Sequence, residues 1–143
     1  KYEAEFQKIL LKKILNKDTK EQIDNWIENE KERIKTLPIE DIAFPCKIAN
    51  RKYENKPIFL RAYENTQKLN SKFTLNAGEL YYYIFMDTIS EVLAFTKDNK
   101  NHIELKKINW EEIIRRNIHT KAQNIYEAKN WNYIINTNQL SLI

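Results

Sequence analysis

Along residues 2–16 the apolar positions fall at Tyr2, Phe6, Ile9, Leu10 and Ile14. That spacing follows the 3.6-residue period and predicts an amphipathic helix. Asp18 or Thr19 is placed to cap a second helix, with Glu21 and Asp24 early in it. Its apolar positions are Ile23, Trp26, Ile27 and Ile34. Lys35-Thr36-Leu37-Pro38 ends it, because proline disfavours helix in the residue before it. Residues 39–56 carry no clear period and read as irregular or partly extended. Pro57 then opens a third helix over 58–70, with Ile58, Ala62, Thr66 and Leu69 on its inner side and Phe59 and Tyr63 flanking.

The period changes after that. Glu79–Asp87 is rich in tyrosine, isoleucine and phenylalanine and reads as a strand. Its alternation puts Tyr81, Tyr83 and Phe85 on one face and Leu80, Tyr82, Ile84 and Met86 on the other. Gly78, the chain's single glycine, precedes it as a tight turn requires. Glu91–Thr96 reads as a second strand, joined through a hairpin at Asp87–Ser90, and His102–Leu105 as a third short strand. Asn109 caps a long last helix over 110–128, with a stripe of Trp110, Ile114, Ile118, Ala122 and Ile125 and with Ile113 beside it. The order of helices, small sheet and helix predicts an α+β fold, mostly helical with a small antiparallel sheet.

Composition narrows the classes. Of 143 residues, 42% are hydrophobic and 31% charged, as in a globular domain. No apolar run approaches the roughly 20 residues that cross a bilayer, so no membrane partner is expected, and a cytoplasmic location, with which a lone thiol is compatible, is the expectation. A start at Lys1 points to a piece of a longer protein. The single cysteine, Cys46, excludes an internal disulfide and a cysteine-cluster metal site. His102 and His119 lack metal-ligand spacing and read as solvated or capping residues. Glu40-Asp41 and Glu111-Glu112 are sequence neighbours whose side chains point apart, which leaves no paired carboxylates for a nuclease. No constellation for catalysis stands out.

The net charge of +4 opens phosphate-bearing partners. The basic stretch Lys47, Arg51, Lys52 and Lys56 encloses Tyr53, which suits phosphate neutralisation with a ring against sugar; a solvated loop reads equally well. The tyrosine run fits a packed strand better than a base-stacking platform. At the chain end, Gln139-Leu140-Ser141-Leu142-Ile143 follows a polar spacer. It resembles the bacterial sliding-clamp-binding pentapeptide, with Gln139 setting register and Leu140, Leu142 and Ile143 entering an apolar groove.

Several segments together are similar to the thumb domain of family B DNA polymerases, bacterial or phage type. They are Leu37–Ile48 with Tyr53 after it, Pro57-Ile58-Phe59-Leu60-Arg61-Ala62, Asn76–Phe85 around Gly78-Glu79, and Ile108–Ile118. The sequence departs from the pattern at Cys46, where many relatives have a lysine, and at Asn76, which replaces a turn proline. The resemblance implies a palm-to-thumb junction over 1–36, a thumb over 37–135 and a flexible tail over 136–143. It implies contact with primer–template duplex by Lys47, Arg51, Lys52, Tyr53 and Arg61, with Lys68 and Lys72 as outer contacts. It further implies partnership with the palm domain, and with a sliding clamp through Gln139, Leu140, Leu142 and Ile143. This chain would then carry no catalytic residue, metal or cofactor. The parent nucleotidyltransferase, active in DNA replication, would need Mg2+. The rival reading is a basic α+β interaction module with no replication role.

Overall fold

The computed structural model describes residues 1–48 and 54–135. Its helices are α1 (Tyr2–Leu15), α2 (Lys20–Arg33), α3 (Ile39–Ile42), α4 (Ile58–Leu69), α5 (Trp110–Ile114) and α6 (Thr120–Ala128). Its strands are β1 (Phe44–Lys47), β2 (Leu80–Phe85) and β3 (Val92–Phe95), in one antiparallel sheet of order β1-β2-β3. The fold is α+β. The chain divides into two compact units: residues 1–42 with 110 onward, and residues 43–109.

The first unit is helical. Tyr2, Phe6 and Leu10, spaced by four, form the fully buried stripe of α1, whereas Ile9 is 39% exposed on its flank. Phe6 stacks on Trp26 of α2 with ring centroids 4.9 Å apart. Two helix ends are closed by recognisable sequence devices. Thr19 and Gln22 exchange side-chain to backbone bonds in a capping box that starts α2. Past α1, Lys17 stands at φ 62° while its N–H reaches Ile14 O and that of Asp18 reaches Lys13 O. These are the two bonds of a Schellman motif, usually built on glycine.

One charge in this unit is buried. Glu30, 6% exposed, accepts from Tyr2 Oη at 3.0 Å and from Arg33 Nε at 2.7 Å. Burial works to raise its pKa, but the bonds from Arg33 and Tyr2 outweigh burial and hold the carboxyl below its ordinary range.

The last helix is continuous over 110–128 as expected, but residues Arg115–His119 form a π turn. Asn117 Nδ2 donates to Ile113 O at 2.9 Å and Thr120 Oγ1 to Arg116 O at 2.7 Å. Side-chain bonds of this kind accompany a locally widened helical ladder. The wide turn brings Asn117, Ile118 and His119 all inside. Of the expected stripe, Ile114, Ile118 and Ala122 are buried, as is Ile113 beside it; the correction is that Trp110 and Ile125 are only half-buried while Tyr126 is fully buried. Tyr126 Oη donates to Asp24 Oδ1 at 2.5 Å, tying α6 to α2.

In the second unit, α4 packs on one face of the sheet. Ala62 of α4, Phe73, Tyr81, Val92 and Ala94 form its buried centre. Tyr81 is fully buried and its hydroxyl donates to Phe59 O at 2.8 Å. Burying such a ring contributes about 2–3 kcal/mol. Tyr81 and Tyr83 share this face, as the alternation requires. Gly78 sits at φ 82°, and its N–H reaches Ile48 O at 2.9 Å.

Two expectations are corrected here. The third strand is β1, not 102–105; Ile103 is buried in a turn and Leu105–Lys107 is a short 3-10 helix. Residues 44–47 hide this role because Pro45 has no N–H to donate, a loss that an edge strand tolerates. Leu69 is 61% exposed rather than inward. Its place on the inner side of α4 is taken by polar groups that meet the outer edge of β3. Asn65 Nδ2 donates to Ser90 O and Val92 O at 2.8 and 3.0 Å, and Thr66 Oγ1 accepts from Ala94 N at 2.8 Å.

Candidate nucleic-acid interface

Charge is distributed unequally between the two units. Residues 43–109 hold eleven Lys and Arg against seven Asp and Glu, whereas the rest of the chain holds thirteen of each. The whole net charge of +4 therefore falls on the unit that contains the sheet and α4. Arg51, Lys52 and Tyr53 lie outside the described residues, as do Gln139, Leu140, Leu142 and Ile143.

The remaining candidates occupy three places. Arg61 and Lys68 are exposed on α4, seven residues apart, so about 20° separates them around the helix and about 10 Å along it. Lys72 is exposed in the turn after α4, next to buried Phe73. Lys47 is exposed at the end of edge strand β1. Its neighbour Cys46 packs toward the α4 side of the sheet, so the pleat puts Lys47 on the opposite face. Arg61 and Lys68 thus share a stripe, and Lys47 stands apart from it. None of these four cations makes an ion pair among the described residues.

Lys56 differs. Its Nζ lies 2.9 Å from Glu64 Oε1 of α4. Eight residues and a helix start separate the two, so no sequence spacing signals this pair. Cys46 is held as a thiol: burial pushes it up to about 11, and its Sγ donates to Tyr81 O at 3.6 Å. A thiol so far from its thiolate form suits packing rather than nucleophilic chemistry.

The first unit uses its ionisable groups differently. Arg115 and Arg116 both bond Glu112, at 2.6 and 2.8 Å, and with burial opposing them they hold its carboxyl down at about 2. His119, expected to be a solvated or capping residue, is buried, with Nδ1 2.5 Å from Tyr133 Oη. Burial, with Lys31 and Arg115 nearby, lowers it to about 4, so it is neutral at pH 7. The other histidine, His102, is half-buried with Nε2 2.6 Å from Ala94 O. A cleft of about 300 Å³ lies between Lys20, Asp24, Asn25 and Glu28 of α2 and Tyr133. Its charged groups are already matched, Lys20 with Asp24 and Glu28 with Lys31, each at 2.9 Å.

Among the described residues, no three His, Cys, Asp or Glu side chains are grouped to hold a metal ion. No helix among them is long and apolar enough to cross a membrane. The sequence matches no protein-family model and no curated protein.

Proposed function

We propose that this chain is a thumb-type piece of a family B DNA polymerase, and that it holds primer–template duplex through the phosphate backbone. The observation that carries the reading is the concentration of the net charge of +4 in residues 43–109, with Arg61 and Lys68 on one stripe of α4 and without ion pairs among the described residues. Beside it stands the sequence resemblance over Leu37–Ile48, Pro57–Ala62, Asn76–Phe85 and Ile108–Ile118. Arg51, Lys52 and Tyr53 would extend the contact, with Lys47 and Lys72 at its margins. Such contacts neutralise phosphates and position the duplex without reading its sequence. Catalysis and Mg2+ would belong to the palm of the parent enzyme. In this reading the tail Gln139–Ile143 tethers the parent to a sliding clamp.

Fluorescence anisotropy of a labelled duplex over a salt series tests the first role. Affinity should fall steeply with salt, and Arg51→Ala/Lys52→Ala should flatten the logarithmic slope by about two contacts. A slope near zero, or one unchanged in the double variant, overturns it and leaves a basic interaction module. Removing residues 139–143 should abolish binding to a purified bacterial clamp while sparing the duplex. Clamp binding that survives the deletion removes the second role.

A further inference from the structure

Glu64 stands in the middle of the cationic stripe. It is the third residue after Arg61 and the fourth before Lys68, and both spacings place side chains within reach on one helix face. The order Glu64 then Lys68 is the more favourable direction for a helical ion pair. Neither helical neighbour takes it. The carboxylate meets Lys56 from the segment leading into α4, at 2.9 Å. Arg61 and Lys68 are left without ion pairs among the described residues. One carboxylate is therefore flanked by three cations from two stretches of chain.

We propose that Glu64 is an internal counter-ion occupying a phosphate position: its carboxylate stands where a phosphodiester of bound nucleic acid is held by Lys56, Arg61 and Lys68. This rests on the duplex-binding reading above and adds a specific site to it. A carboxylate and a phosphodiester oxygen pair offer cations the same acceptors and the same unit charge. Without nucleic acid, Glu64 keeps Lys56 against α4 and tempers repulsion among the three cations. With nucleic acid, a phosphate competes for the same donors, and Glu64 must turn aside or repel it. Glu64 thus weakens the site that it helps to assemble.

The test compares charge-matched variants on a duplex of mixed sequence, by anisotropy over a salt series, with thermal melts to confirm equal folding. Glu64→Gln should bind roughly three- to tenfold tighter at low salt, with a logarithmic salt slope steeper by about 0.9, one further phosphate contact. Glu127→Gln, an exposed change in the other unit with the same effect on net charge, should stay within about twofold of the wild type. Adding Arg61→Ala or Lys56→Ala to Glu64→Gln should remove most of the gain. Equal gains in Glu64→Gln and Glu127→Gln would overturn the site and leave duplex binding standing. A gain that survives both added alanine changes would do the same. Salt-independent binding by every variant would overturn the duplex reading and this site with it.

Discussion

Residues 1–42 with 110–135 and residues 43–109 contain similar chemistry but arrange it for different ends. In the helical unit, many cations meet acids of the same unit: Arg33 meets Glu30, Arg115 and Arg116 meet Glu112, Lys20 meets Asp24, and Lys121 meets Glu3. Charge there serves packing, down to a buried carboxylate. In the sheet unit, Lys47, Arg61, Lys68 and Lys72 face solvent with no ion pair among the described residues. A balanced unit gains little from a polyanion; an unbalanced one gains counterion release. Total charge says that a phosphate partner is plausible, whereas its distribution says which half would meet it.

The comparison breaks most visibly through pH. His119 is neutral in the folded helical unit, with a pKa depressed to about 4, facing Tyr133 and with Lys31, Glu28 and Arg115 around it. The unfolded chain takes up that proton first, near pH 6.5. Its contribution is therefore complete above about pH 6.5 and is lost as the pH falls toward 4. Denaturant unfolding should show the wild type losing up to about 3 kcal/mol across that window beyond any loss in His119→Phe. Parallel pH profiles for the two proteins would refute a buried neutral histidine.

A smaller effect separates the two uses of cations. Arg33→Met leaves Glu30 buried with Tyr2 as its remaining hydrogen-bond partner of the pair seen here. It should cost about 2 kcal/mol at pH 7, less than a fully buried pair because Arg33 is about half exposed. Arg61→Ala and Lys68→Ala should each change stability by no more than about 0.5 kcal/mol. Comparable losses from the two sets, measured by urea unfolding, would erase the distinction between structural and open cations. The smallest effect is a gain: Lys17→Gly relieves a side chain held at φ 62° and should raise stability by about 0.5–1 kcal/mol.

Much of this fold is written locally. The capping box at Thr19 and Gln22, the turn at Gly78 and the face shared by Tyr81 and Tyr83 depend on neighbours within a few residues. What stayed hidden depends on distant partners. Strand β1 is four residues long and contains Pro45, so its identity comes from pairing with β2 rather than from its own pattern. Glu30 is buried because Tyr2, 28 residues away, and Arg33 both reach it. His119 turns inward through a widened helical turn that no 3.6-residue stripe contains. The candidate interface shows the same limit. Lys47 and Arg61 are fourteen residues apart in the sequence, yet a strand pleat and a helix put them on different faces. Lys56 and Glu64 find each other only once α4 has formed.

The hydrogen bonds from Asn65 and Thr66 to Ser90, Val92 and Ala94 also bear on assembly. A sheet grows when an incoming chain finds free amides and carbonyls along its last strand. On the β3 side those groups already belong to α4, and on the β1 side Pro45 brings no amide. Three strands are therefore a natural stopping size, and another copy of this chain finds poor terms for extending the ladder. A molecule with eight tyrosines and six phenylalanines is thereby less exposed to fibril-like stacking than its composition suggests.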